Sequence, residues 1–434
     1  MSDKTIKGIT KIAVKGFKSI AEECEIDIRP LTILAGANSS GKSSIMQPLL
    51  MLKQTLEASY DPGPLLIDGP NVQFTEASQF LSTLPNGKRA DRFQIQIQIH
   101  KSNVSNAVQT TFRKGKNGIE IVEMTKENSG PDQTLSAKSL TLYPDMSPEE
   151  IKSLDDQDPE LKNFDIVKRS RCFLYLGSQH SSTRLYEVTY GFGTDIFNSI
   201  HLPGLRGNPE RSYKLTSTGP WYPGAFGNYA ASIIHKWQET KDERLKVLAD
   251  ALYILGLTGK VSTKRIGDIG VEVQVGRLPH DRVSEMDMVN IADVGIGVSQ
   301  VLPILVAVIA AEPGQLVYLE QPELHLHPRA QIALARVLAD AAKRGVRVVA
   351  ETHSSLLLLG VQTLVAEGDL PPELVKLHWF SRQEDGVTEV NSADLDEAGA
   401  YGEWPEDFAD VSLNAQSRFL DAVDNVRFGD KETS

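Results

Sequence analysis

The feature that most limits what this chain can become is the run Gly36-Ala37-Asn38-Ser39-Ser40-Gly41-Lys42-Ser43. It fits the pattern glycine, four residues, glycine, lysine, serine in full, and its flanks agree with it. Residues 31–35 form a compact apolar run that ends at glycine, which is a strand pattern. From Ser43 to about Leu56 the apolar positions Ile45, Leu49, Leu52 and Leu56 recur at three- and four-residue steps, which is a helix pattern. A strand feeding a glycine-rich turn that opens a helix points backbone N–H groups inward, and the helix adds the positive end of its dipole. Such a turn cradles phosphate groups. Lys42 neutralises their charge and the Ser43 hydroxyl can ligate Mg²⁺. The candidate binding residues are therefore Gly36, Asn38, Ser39, Ser40, Gly41, Lys42, Ser43 and Ser44.

A second patterned region starts near residue 290. An apolar helix over 298–311 is followed by Pro313-Gly314, a strand over 316–319, a helix over 328–343 and a strand over 346–350. Proline opens the second helix and Gly345 stands just past its end. This alternation implies a parallel sheet with helices packed on it. The first strand runs into Glu320-Gln321-Pro322-Glu323, where Glu320 is placed to hold Mg²⁺ through its waters; the alternative is a solvated acidic turn. The next strand runs into Glu351-Thr352-His353-Ser354, where His353 could hydrogen-bond a γ-phosphate or orient water. Upstream, Gly295, Gly297, Ser299 and Gln300 open the apolar helix with small and polar residues. They make an anion-facing terminus that could cap a nucleotide held by another subunit; an ordinary helix cap is the alternative. His325 and His327 have the look of a metal pair, but Pro328 and a helix follow at once, so they read as turn histidines.

Composition narrows the class. A chain of 434 residues allows about two or three domains, and 41% hydrophobic with 24% charged residues excludes wholesale disorder. Cys24 and Cys172 are the two cysteines, which excludes a disulfide framework and a cysteine zinc site. The longest apolar run, 301–311, contains Pro303 and falls short of the roughly 20 residues a bilayer crossing needs. The first ten residues carry no apolar leader, so the cytoplasm is the expected location and no membrane is expected. A net charge of −12 excludes a wholly basic nucleic-acid coat but leaves a local basic run, Lys168-Arg169-Ser170-Arg171. Between the two patterned regions, residues 92–100 alternate strictly and 110–124 read as a hairpin with Lys116-Asn117-Gly118 at its tip. Residues 147–162 read as an acidic helix and loop, and 228–255 as one helix. A hairpin pairs 375–380 with 387–390, and a charged tail closes the chain. No heptad pattern persists, so a long coiled coil is not expected.

Five segments together resemble the ABC-type ATPase heads of the SMC/RecF kind, and more narrowly the AAA ATPases related to the overcoming-lysogenization-defect family. They are residues 16–20, 34–45, 293–305, 316–328 and 351–354. The resemblance implies an α/β P-loop NTPase head with a large α+β insertion between phosphate loop and signature motif. It divides the chain into 1–60, the first half of the head; 61–286, an inserted lobe with accessory or dimerisation helices; 287–390, the second half of the head; and a 391–434 tail. It also implies ATP and Mg²⁺ as cofactors. Residues 36–44 become the Walker A loop, Glu320 the Walker B acid and His353 the switch histidine. The signature, Gly295 to Gln300, acts in trans across a head-to-head homodimer or higher homo-oligomer.

Three features depart from the family pattern. Gln321 stands where a catalytic glutamate is usual, so turnover should be slow, or Glu323 or His353 should substitute. Gly295 replaces the usual signature serine, with Ser299 nearby. Asp394 and Asp396 imitate the acidic pair of a Toprim nuclease without its βα framework, so no nuclease is expected. The resemblance extends to the ATPase subunits of two-component anti-phage systems such as Septu and PARIS. It thereby implies a nucleotide-dependent switch that controls a separate effector protein. A DNA-binding repair-type head and a nucleotide-clamped scaffold that does not hydrolyse remain the alternatives. The segment 202–211 resembles a family element, and Arg206 and Arg211 within it are open between phosphate or interface contacts and surface ion pairs.

Overall fold

In a computed structural model, the described residues are 7–402 except 85–86, 102–103, 117, 130–137, 155–160, 162–163, 180, 187–188, 190 and 278–286, together with 417–418. Asn117 at the expected hairpin tip, much of the acidic 147–162 stretch and nearly all of the tail beyond 402 lie outside them.

Six strands build the central sheet in the order Ile200–Leu202, Leu316–Glu320, Arg347–Thr352, Leu31–Gly36, Val375–Arg382, Thr388–Ala393. The first five are parallel, and the last turns back antiparallel as the second arm of a hairpin. Leu31–Gly36 and Arg347–Thr352 are buried along their whole length. Strands covered on both faces read as continuous apolar runs rather than alternating ones.

Successive side chains of these strands serve two different cores. Leu31, Ile33, Val317, Leu319, Val348 and Ala350 face the helices Ile296–Ala310, Pro328–Lys343 and Ser355–Ala366. Leu34, Leu316, Tyr318 and Val349 face the helix Lys42–Glu57 and a second, six-stranded antiparallel sheet. Each fully buried aliphatic side chain contributes about 1.5–3 kcal/mol. That driving force carries two helices through an internal proline, Pro48 and Pro303, although a proline inside a helix costs about 3 kcal/mol.

The antiparallel sheet begins with strands from the start of the chain, Cys24–Asp27 and Gly8–Lys15. It continues with Arg92–Lys101, Val104–Gly115, Gly118–Ser129 and Lys138–Leu142. The segment 61–286 thus extends a sheet opened by the first thirty residues, and through Ile200–Leu202 it also supplies the edge of the central sheet. The helix expected over 228–255 is two helices, Ala230–Glu239 and Arg244–Ile254. The chain turns at Lys241, whose φ of 53° is left-handed, and the Asp242 carboxylate accepts the Arg244 N–H at 3.0 Å to start the second helix. The 147–162 expectation is represented by the short helix Pro148–Ser153, which Ser147 and Glu150 close with reciprocal capping bonds.

Candidate functional site

The phosphate-loop residues leave the carboxyl end of the central strand and enter Lys42–Glu57, the strand–turn–helix context their spacing requires. Gly36 and Gly41 have φ of 143° and 108°. A Cβ on Gly36 would lie 2.2 Å from the Phe380 carbonyl oxygen, and one on Gly41 would lie 2.4 Å from Thr388 Oγ1. Both glycines are therefore fixed by the returning hairpin 375–393 as well as by the turn. Thr388 Oγ1 donates to the Ser40 carbonyl at 2.8 Å and clamps the loop from outside. Ser44 N–H donates to the Gly41 carbonyl at 2.9 Å, the first helical bond.

A cavity of about 860 Å³ opens over this loop. Asn38, Ser39, Gly41, Lys42, Ser43 and Ser44 line it, and Gln321, Glu351 and His353 enter from the neighbouring strand ends. Brought together here, then, are the loop, the glutamine and the histidine. The residues fit a nucleoside triphosphate with its magnesium ion. Lys42 Nζ, 3% exposed as a residue, donates to the loop's own carbonyls Gly36 O and Ala37 O at 3.1 and 2.7 Å. Ser40 Oγ and Gln47 Oε1 are buried without a protein partner. Burial pushes the Lys42 amine down, while Glu351 and Glu323 act in the opposite sense. Burial, then the Lys42 charge, lowers His353 against an opposing hydrogen bond to the Gly36 backbone, so the ring is neutral near pH 7.

Glu320 differs from the expectation. Its carboxylate is bonded by His201 Nε2 and the Gly204 N–H, both at 3.1 Å, and it does not line the cavity. Burial pushes the Glu320 carboxyl up, but the His201 bond and charge, Gly204 and Arg206 bring it below the usual range. The carboxylate against Ser43 is that of Glu351, to which Ser43 Oγ donates at 2.8 and 3.0 Å. The reason is the register: Glu320 pairs with Glu351, and Glu351 with Leu34, so Glu320 sits one strand farther from the loop.

Glu323, the other acid named as a candidate base, lies beside the His353 turn. One oxygen accepts from Thr352 Oγ1 at 2.7 Å and from the His353 N–H at 3.1 Å, and the residue is absent from the cavity lining. Burial raises its carboxyl despite those bonds. It holds the turn that carries His353. Gln321 has φ of 44°; its N–H donates to the Glu351 carbonyl at 2.7 Å, and its own carbonyl accepts from Arg206 at 3.2 Å.

Arg206 is where the sequence left the choice open. Its guanidinium donates to the carbonyls of Pro203, Glu320 and Gln321, so it fastens the turn after the acidic strand. Arg211 forms an exposed ion pair with Asp293 at 2.7 Å. Between them, the Gly207 carbonyl accepts from Gln300 Nε2 at 2.6 Å. The 202–211 segment therefore ties the glutamine turn to the signature helix. Periodicity carries no trace of this role, because every bond runs to backbone or across more than eighty residues.

The signature residues are not part of the same cavity. Gly295 caps Ile296–Ala310, a Cβ on Gly297 would meet the His325 carbonyl at 3.1 Å, and Ser299 Oγ donates to Ile296 O. Ser299 and Gln300 line a separate cavity of about 570 Å³ beside Arg206 and Tyr213. His327 accepts the Arg329 N–H and caps its helix, in keeping with a turn histidine, and no metal-holding cluster of His, Cys, Asp and Glu occurs among the described residues. Asp394 is spent on Arg29 and Lys376, and Asp396 on turn amides. In the basic run, Arg169 pairs with Asp61, and Arg171 donates to the carbonyls of Leu56 and Ala58. Among the described residues no helix is long and apolar enough to cross a membrane.

A family model described as "AAA domain, putative AbiEii toxin, Type IV TA system" matches residues 31–359, from the first phosphate-loop strand to beyond His353. The chain belongs to this AAA-domain family. It is an ATP-binding, P-loop ATPase domain by family, and its α/β fold is that of a P-loop NTPase. Among solved structures it is similar to an SmcHead bound to the C-winged helix domain of ScpA, at 14% identity and a TM-score of 0.46 over 90% of this chain and 99% of that one. It is also similar to the SMC head domain from Thermotoga maritima, at 12% identity and a TM-score of 0.41 over 88% and 98% of the two chains. An Smc head with an extended coiled coil, bound to the C-terminal domain of ScpA and derived from Pyrococcus furiosus, shares 12% identity at a TM-score of 0.43 over 96% and 100%. No curated protein matches the chain.

Proposed function

We propose that this AAA-family protein is a slow, nucleotide-dependent switch: it binds Mg²⁺–ATP in the phosphate-loop cavity, closes head to head with a second copy, and hydrolyses sluggishly. The observation that carries this reading is the division of the site. The loop, Gln321 and His353 share one cavity, whereas Gly295, Gly297, Ser299 and Gln300 stand outside it at a helix terminus with Ile296 exposed. A nucleotide held by one copy is then completed by the signature terminus of the other. The helices 230–239 and 244–254 pack beside the signature helix and are proposed as accessory elements of that contact.

In this reading the loop amides and Lys42 hold the phosphates, and a magnesium ion held at Ser43 would supply further charge neutralisation. Neutral His353 offers one hydrogen bond toward the γ-phosphate. Gln321 orients water but, being a poor proton acceptor, removes its proton inefficiently. Glu323 is turned away and does not replace the missing base. The left-handed turn at Gln321 fixes where its side chain leaves the backbone at the mouth of the cavity. Control of a separate effector in anti-phage defence is the biological setting we propose, on the resemblance to Septu and PARIS ATPases.

Native mass with and without Mg²⁺–ATP, and single-turnover hydrolysis by wild type, Gln321→Glu and Lys42→Ala, test the proposal together. ATP should double the mass, Gln321→Glu should speed hydrolysis, and Lys42→Ala should weaken ATP roughly 10- to 100-fold. A particle whose mass ignores ATP, or a wild-type rate that Gln321→Glu leaves fast and unchanged, would refute the switch.

A further inference from the structure

We propose that Glu351, and not the motif-placed Glu320, is the carboxylate that holds the magnesium ion of the bound nucleotide, with Tyr318 as its positioning residue. This rests on the cavity being an ATP site. Mg²⁺ bound with nucleotide takes one or two protein oxygens, phosphate oxygens and waters in a tight octahedron. The protein oxygen at the helix start is Ser43 Oγ, and the acid that serves the same ion must stand beside it.

The side-chain contacts decide which acid does, and the strand order agrees with them. Glu320 and Glu351 are register partners on adjacent parallel strands, and Arg347–Thr352 lies between the Glu320 strand and the phosphate-loop strand. Neighbouring strands are about 4.8 Å apart, so Glu351 is closer to the loop by that step. Both Glu351 oxygens are within 3.0 Å of Ser43 Oγ, and the residue lines the cavity with Lys42, Gln321 and His353. Glu320 lines no part of it, and its two oxygens are engaged by His201 Nε2 and Gly204 N–H.

Tyr318 completes the assignment. Its hydroxyl donates to Glu351 Oε2 at 2.8 Å, the side chain is 1% exposed, and its ring stacks on His201 at a centroid distance of 5.3 Å. His201 in turn hydrogen-bonds Asn71 Oδ1 at 3.2 Å and Glu320. Glu320 thus belongs to a clasp that steadies Tyr318, and Tyr318 fixes the rotamer in which Glu351 meets Ser43. The carboxylate at the end of the acidic strand acts as a brace, and the one at the end of the histidine strand is the metal ligand.

The test uses the full chain, a fluorescent ATP analogue titrated with Mg²⁺ or with EDTA, and Mn²⁺ as a spectroscopic probe read by electron paramagnetic resonance. Wild type should bind nucleotide at least tenfold more tightly with Mg²⁺ than with EDTA. Glu351→Gln should lose that stimulation while its affinity in EDTA stays within about threefold of wild type, and the ternary Mn²⁺ signal should vanish. Glu320→Gln, which leaves one acceptor in the clasp, should lower the stimulation no more than Tyr318→Phe does, and Tyr318→Phe should reduce it partially without abolishing it. Should Glu351→Gln fail to fold, Glu351→Asp carries the test, and its shorter reach should shift preference from Mg²⁺ to Mn²⁺. Retained stimulation and Mn²⁺ signal in Glu351→Gln, or their loss in a folded Glu320→Gln, overturn the assignment. Wild type that binds no nucleotide in either buffer overturns the ATP-site reading instead, so the two failures are told apart by the wild-type arm.

Discussion

Arg206→Met is the perturbation that separates a loop held in place from a loop merely present. The guanidinium donates to three carbonyls, Pro203 at 3.0 Å, Glu320 at 3.1 Å and Gln321 at 3.2 Å. Methionine keeps most of the stem's volume and removes all three donors. Leaving a buried carbonyl without its partner costs about 1–3 kcal/mol. The Pro203 bond is local and can be re-made by water, so the cost falls on the other two. Gln321 adds to it, because a left-handed φ of 44° is disfavoured by about 1–2 kcal/mol and Arg206 is one of the bonds that hold it. Against this stands the relief of a buried charge, for burial already pulls the Arg206 guanidinium below its ordinary range. The expected net loss is roughly 3 kcal/mol in the first denaturant transition. Turnover should fall tenfold or more, since the turn that presents Gln321 is no longer fastened. The nucleotide affinity should stay within about threefold, because Arg206 does not line the phosphate cavity. Arg206→Lys, with one donor direction instead of a fork, should recover part of the stability and little of the rate. A loss under about 0.5 kcal/mol with turnover intact would refute the reasoning, for surface substitutions do that much.

Gly41→Ala places a Cβ 2.4 Å from Thr388 Oγ1 at φ 108°; it should cost about 1–3 kcal/mol in thermal or chemical melts and abolish nucleotide binding, and a stable, binding-competent variant would show that the hairpin yields. His378, bonded to Asp27 O and Ser392 Oγ, is held by burial at about 4 against an ordinary 6.5. The unfolded chain takes up this proton first, so stability is full above about pH 6.5 and should fall by ~3 kcal/mol as pH drops toward 4. His378→Gln should flatten that part of the pH profile, and an unchanged profile would place the acid sensitivity elsewhere. Burial lifts the Cys24 thiol to about 11 and the Cys172 thiol to about 12, so a disulfide reagent at pH 8 should label neither in the native chain and both after unfolding; rapid native labelling of Cys172 would contradict its burial.

Local chemistry made the phosphate loop legible. Gly36, Gly41, Lys42 and Ser43 act through backbone turn and dipole within a dozen residues, so their meaning survives in linear order. The same holds for the helix opened by Pro328 and for the hairpin 375–393, whose two arms are neighbours in sequence. Apolar periodicity continues through Lys241 and so predicts one helix over 228–255, while the break is a single left-handed residue that periodicity does not register.

The acid beside Ser43 could not be read from the chain, although Glu351 stands in plain view two residues before His353. Motif spacing ranks Glu320 first because it counts positions along a strand. Distance to the loop depends on which strand is inserted next to it, and that is a property of the sheet order. Arg206 and His201 were hidden for the same reason: their partners, Gln321 and Glu320, lie more than a hundred residues away. What linear order settled was the presence of a phosphate-binding turn, because its donors are consecutive amides. What the folded sheet settled was which carboxylate meets that turn, because side chains from strands far apart in sequence compete for one position and only their lateral order ranks them.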